Sequence, residues 1–199
     1  NPEKIMVARK DLSVRSILES AEVLYADGVG VTRVLARKSQ KKISRVPGCE
    51  LWEGLMKEAG QRNTPVFLVG AKPETLSLTL EKLKQMFGVR IVGSCDGYFK
   101  GEDDLIKEIQ TSKAQIVSVA LGSPKQELFI NKCKSVGVPA FFMGVGGTYD
   151  VFTGRVKRAP LFFQKIGCEW LYRLVSQPSR IGRQLNLLSF IKLAVFNRL

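Results

Sequence analysis

At 199 residues, with 45% hydrophobic and 25% charged content, the chain fits one globular α/β domain with room for an appendage. Ordinary glycine and proline usage excludes a collagen-like or globally disordered polypeptide. With no histidine and four widely spaced cysteines (Cys49, Cys95, Cys133 and Cys168), a His/Cys zinc site is disfavoured, and the thiols read as reduced and cytosolic.

The chain opens at Asn1-Pro2-Glu3 without a methionine, and no apolar stretch reaches the roughly 20 residues that span a bilayer. The first strand candidate is weak, over residues 21–25, followed by Asp27-Gly28 and a helix starting near Val29. Residues 49–59 read as an amphipathic helix with Leu51, Leu55 and Met56 among its apolar positions. Apolar runs then alternate with segments of helical period. Strands are expected at 65–70, 89–93, 115–121 and 139–144, with helices at 73–87, 102–112 and 124–136 between them. This alternation predicts a Rossmann-like open parallel sheet flanked by helices over residues 1–159.

Beyond Pro160 the character changes to two or three helices. From Arg155 onward nine basic residues face Glu169 as the only acid, out of a formal net charge of +13 for the chain. The stretch from Gln184 is mostly apolar, with Asn186, Ser189 and Lys192 as a narrow polar stripe. Two readings stand: an interfacial helix on an anionic membrane, or a helix packed on the protein core. A basic tail suggests an anionic partner, whether nucleic acid, lipid or pyrophosphate.

In open α/β sheets ligands bind outside the carboxyl ends of the strands. The loops there are Asp27-Gly28, Gly70-Ala71-Lys72-Pro73, Asp96-Gly97-Tyr98-Phe99, Gly122-Ser123-Pro124-Lys125-Gln126-Glu127 and Gly144-Val145-Gly146-Gly147-Thr148-Tyr149-Asp150. Three lead into helix starts, whose unbonded N–H groups suit a phosphate. Gly146 and Gly147 let backbone approach a ligand, or serve only to turn the chain. There is no Walker-type loop and no early G-x-G-x-x-G, which disfavours a P-loop nucleotidase and a nicotinamide-dependent oxidoreductase.

Without histidine, a general base must be a carboxylate, Lys, Tyr or Cys. Asp27 qualifies; the same position also suits capping the next helix. Asp150 can accept hydrogen bonds from a ribose or cap a turn, Tyr98 can stack on a base or sit at a rim, and Arg45 can clamp a phosphate or lie on the surface.

Taken together the loops resemble the WecG/TagA/CpsF glycosyltransferases, glycosyltransferase family 26. The matching blocks are Tyr25-Ala26-Asp27-Gly28, Arg45-Val46-Pro47-Gly48, Asp96-Gly97-Tyr98-Phe99, Gly122 to Glu127, Met143 to Asp150, Gly154 to Pro160 and Glu169-Trp170-Leu171-Tyr172-Arg173-Leu174. Val151 to Gly154 and Ser176 to Ile181 favour the branch that transfers N-acetyl-D-mannosaminuronic acid in enterobacterial common antigen synthesis. The resemblance implies an inverting transfer from a UDP sugar (N-acetylmannosaminuronic acid or N-acetylmannosamine) to GlcNAc on undecaprenyl pyrophosphate, with no cofactor and no obligatory metal.

By position it makes Asp27 the base acting on the acceptor hydroxyl. Arg45 and Gln126 fall beside the diphosphate and sugar, Tyr98 beside uracil and Asp150 at the ribose, with Asn1 in the first active-site loop. It makes residues 160–199 a membrane-associating appendage whose Arg173, Arg180 and Arg183 close over the diphosphate. It places the protein peripherally on the cytoplasmic face of the inner membrane. It further implies that the family's first segment precedes Asn1, and it leaves a homo-oligomer open. The competing reading is a non-catalytic nucleotide- or nucleic-acid-binding module, although no RRM, KH or zinc-finger pattern is present.

Overall fold

The computed structural model describes residues 1–157, 159, 160, 163 and 189–196. The chain divides into two compact units, Asn1–Pro47 with Arg158–Leu199, and Gly48–Lys157.

The first unit opens with two short helices absent from the sequence expectation, α1 (Pro2–Lys10) and α2 (Leu12–Glu19). Local chemistry sets both starts. The Asn1 side chain accepts from the Lys4 N–H and Pro2 occupies the first helical position; Asp11 accepts from the Ser13 and Val14 N–H groups. The Ser13 hydroxyl, which donates to Asp11 Oδ1 at 2.6 Å, and then those cap hydrogen bonds hold the Asp11 carboxyl below its usual range. Helix α3 (Val29–Ser39) follows.

The strand expected at residues 21–25 is not formed. Val23 and Leu24, which would point to opposite faces, are 65% and 69% exposed, so neither face of that segment has a layer to bury against. A small core joins Met6, Val31 and Phe190, with Ile5, Ala26, Val34, Leu193 and Ala194 packed around it.

The second unit is α/β, as the alternation predicted. Its elements are α4 (Gly48–Gln61), β1 (Val66–Gly70), α5 (Pro73–Phe87), β2 (Ile91–Cys95), α6 (Glu102–Thr111), β3 (Ile116–Ala120), α7 (Lys125–Ser135), β4 (Phe141–Gly144) and α8 (Thr148–Phe152). The four strands pair in parallel in the order β2-β1-β3-β4. Strand β2 starts two residues later than its apolar run suggested. Gly88, at φ 63, closes α5 and the Val89 N–H still bonds back to Leu83, so the ladder begins only where Arg90 accepts from Val66.

Alternation along the central strands sorts side chains to two faces. Val66, Leu68, Ile116 and Ala120 pack with Trp52, Met56, Leu83, Tyr149 and Phe152. Phe67, Val69, Val117 and Val119 pack with Leu105, Ile109, Phe129 and Cys133. On α4 the inward residues are Trp52, Met56 and Ala59, whereas Leu51, expected on the apolar face, is 39% exposed.

Trp52 and Tyr149 both anchor to Ser118 in the middle of β3. The indole Nε1 donates to Ser118 Oγ at 2.8 Å and the tyrosine hydroxyl to the Ser118 carbonyl at 3.0 Å. Trp52→Phe would leave that buried hydroxyl without its donor. The expected cost is about 2 kcal/mol, a fall in Tm of roughly 4–8 °C for a chain this long. Thermal unfolding measures it, and an unchanged Tm would show that the indole bond adds no net stability.

Candidate active site

The crossover from β1 to β2 runs to one side and the crossover from β2 returns past β1 to β3 on the other, so the switch point falls between β1 and β3. That is where a crevice opens at the carboxyl edge of such a sheet. The loops there are tied to one another through backbone. The Ala71 N–H donates to the Ala120 carbonyl at 3.1 Å, the Gly97 N–H to the Ala71 carbonyl at 2.8 Å, and the Val145 N–H to the Val119 carbonyl at 2.8 Å.

Gly70 is required at this edge: at φ 106, a Cβ there would stand 2.5 Å from Ala120 backbone. After β3, Ser123-Pro124 is a cis peptide and the Ser123 Oγ is buried with no hydrogen-bond partner among the described residues.

Gln126 is the polar centre of this edge. Its side chain is 3% exposed; Nε2 donates to Glu127 Oε1 at 2.8 Å, and Oε1 accepts the Gly146 N–H at 3.0 Å. The amide therefore reads the glycine turn directly. Gly144 exists for this contact, since a Cβ there would stand 2.9 Å from Gln126 Nε2. Gly146 has open space around it, and its requirement is conformational, at φ 54. Gly147 is the N-cap of α8.

Asp150, in the first turn of α8, accepts from Thr75 Oγ1 on α5 at 3.3 Å. Tyr98 is 66% exposed on the loop after β2, with its N–H held by Asp96 Oδ1 at 2.8 Å. Its ring is thus presented rather than packed. Glu127, Thr75 and Ser123 are polar groups at this edge that had no individual role in the sequence reading. Glu127 and Ser123 lie inside a motif already singled out, but burial of a carboxylate cannot be read from its neighbours.

In the other unit, Asp27 and Arg45 come together across 18 residues of sequence. The Val46 N–H donates to the Ala26 carbonyl at 2.9 Å, which aligns the two loops, and Arg45 Nε stands 3.5 Å from Asp27 Oδ1. Their side chains are 24% and 29% exposed. Asp27 does not cap α3; that cap is Gly28, at φ 97. A Cβ on Gly28 would stand 3.3 Å from Pro2 Cδ, so the start of α1 lies beside this pair, with the Asn1 carboxamide engaged as its cap. Arg173, Arg180 and Arg183 lie outside the described residues.

Three of the alternatives to a carboxylate base are disfavoured by burial. Tyr149 is fully buried and its hydroxyl is pushed well above its ordinary range by desolvation. Burial raises the Cys133 thiol to about 11 and raises Cys95 as well. Several other carboxylates have structural work: Asp11 caps α2, and Glu102 and Asp103 pair with Lys132 at 3.1 and 2.9 Å.

Among known families, the sequence model of the glycosyl transferase WecG/TagA/CpsF family matches the chain over residues 1–199.

Proposed function

Since the chain belongs to the WecG/TagA/CpsF glycosyltransferase family, and is accordingly a glycosyltransferase, we propose that it moves N-acetylmannosaminuronic acid, or N-acetylmannosamine, from UDP to GlcNAc-pyrophosphate-undecaprenol. In this reading the product enters a bacterial surface polysaccharide of the enterobacterial common antigen type. The observation that carries the donor half is the Gln126–Gly146 bond at the carboxyl edge of the sheet, which holds a glycine turn beside the helix start at Thr148.

The chemistry is an inverting displacement. Asp27 takes the proton from the acceptor GlcNAc hydroxyl, whose oxygen attacks the anomeric carbon from the face opposite UDP. The anomeric carbon–oxygen bond to the diphosphate then breaks, and UDP leaves with its electron pair. Charge developing on UDP calls for cations and N–H donors, a role we assign to Arg45, the glycine turn and Arg173, Arg180 and Arg183. Tyr98 stacks on uracil, Asp150 accepts from the ribose and Asn1 helps position the acceptor.

Residues 160–199 associate with an anionic inner-membrane surface, peripherally and from the cytoplasmic side. Among the described residues no helix is long and apolar enough to cross a membrane, and residues 189–195 of the appendage are helical.

Two measurements test this. UDP at about 100 times its Kd is expected to stabilise the protein by about 2.7 kcal/mol, a rise in Tm of roughly 5–10 °C, whereas NAD and oligonucleotides leave Tm unchanged. The reverse ranking would sink the donor assignment. Incubation with each UDP sugar and a short-chain GlcNAc pyrophosphate lipid then decides the transferred sugar, and no product from either would reject the acceptor.

A further inference from the structure

Residues 29–47 contain six basic residues (Arg33, Arg37, Lys38, Lys41, Lys42 and Arg45) and no acidic one. Arg45 faces Asp27; the other five are exposed on α3 and the loop after it. Arg33 and Arg37 are four residues apart on one helix face, an arrangement that destabilises an isolated helix. The helix dipole accounts for Arg37 and Lys38 in the last turn, but not for Arg33, Lys41 or Lys42. Such a surface is tolerated best when a polyanion covers it.

A neighbouring helix says which polyanion. Residues 189–195 pack against α3 and α1 through Phe190, Leu193 and Ala194. A Cβ on Gly30 of α3 would stand 3.1 Å from the Phe190 ring. The reading of this helix as packed on the protein holds for one of its faces. The packed face is buried, and the opposite face presents Ile191, Val195 and Phe196 at 41%, 68% and 64% exposure, with Lys192 among them. Apolar side chains interleaved with cations suit a bilayer interface, where the first enter the acyl boundary and the second meet headgroups. A nucleic acid backbone would use only the cations.

We propose that the basic face of α3 and the loop at residues 40–44 is a second membrane contact, binding anionic phospholipid headgroups beside the outward apolar face of the helix at 189–195. The inference deepens the membrane-surface part of the proposed function and rests on it, but it is independent of donor and acceptor identity.

The test is co-sedimentation of the full chain with vesicles of phosphatidylcholine containing phosphatidylglycerol, at low salt. The variant R33Q/R37Q/K41Q/K42Q is expected to bind at least about tenfold more weakly. Removal of four positive charges from the other unit, in K57Q/K84Q/R90Q/K113Q, is expected to change binding less than about twofold. Should the first variant unfold, the pairs R33Q/R37Q and K41Q/K42Q are each expected to lose about threefold or more.

Equal losses in the two quadruple variants would overturn the proposal in favour of general charge. Unchanged binding in the first would overturn it while leaving the appendage as the membrane contact. No binding by the unmodified chain would remove the membrane reading itself. Loss of oligonucleotide binding with vesicle binding intact would reassign the surface to nucleic acid.

Discussion

Asp27→Asn is expected to reduce turnover by about 10²–10⁴-fold, the contribution typical of a positioned general base, while UDP still raises the melting temperature as it does in the unmodified protein. The substitution keeps the size and planarity of the group and its place beside Arg45. What it removes is the negative charge, and with it both the ability to accept a proton and the ion pair with Arg45. Three other groups that could serve, Tyr149, Cys133 and Cys95, are driven toward their protonated forms by burial. Single-turnover assays with saturating donor separate the two effects. Full activity in the asparagine variant would eliminate Asp27 as the base, and loss of the UDP response would mean that its carboxylate serves donor binding instead.

Gln126→Leu is the second large effect. Leucine approximates the volume, but it leaves the Gly146 N–H without its side-chain acceptor and Glu127 Oε1 without the amide donor. A buried carboxylate and a part-buried N–H each losing a hydrogen bond cost about 3 kcal/mol, which lowers Tm by roughly 6–12 °C. Because the glycine turn relaxes, the UDP-induced stabilisation is expected to vanish as well. Gln126→Glu separates these causes: it retains an acceptor for Gly146 but places a second carboxyl against Glu127. Calorimetric titration with UDP reads both variants at a temperature where each is folded. Undiminished UDP affinity in Gln126→Leu would remove this edge from the donor site.

The sheet was legible from sequence because its physics is local and repetitive. Runs such as Val66 to Gly70 and Ile116 to Ala120 are buried on both faces, so they appear as unbroken apolar stretches bounded by glycine and proline. Residues 21–25 differ: Val23 and Leu24 have strand composition, but among the described residues no strand pairs with them and both are exposed. Helices α1 and α2 escaped notice because they are short and bury only Met6 and Val14 respectively; their caps at Asn1 and Asp11 were the usable signal.

For the site, chain order alone could nominate Asp27, Arg45, Gln126 and Asp150 as residues in loops. It could not show that Asp27 faces Arg45 rather than capping α3, or that Gln126 holds Gly146, since both depend on loops far apart in sequence. The basic run at residues 33–42 is plain in the letters, but its packing beside the helix at 189–195 depends on residues more than 140 positions away.

Ala71 gives the carboxyl edge a mechanical character. A non-glycine residue at φ 62, it is held in that backbone conformation while donating to Ala120 and accepting from Gly97, so three crossover segments are clamped at a single residue. A nucleotide entering there would meet a pre-set mould instead of a hinged flap, and discrimination among bases would come from shape already in place before the ligand arrives.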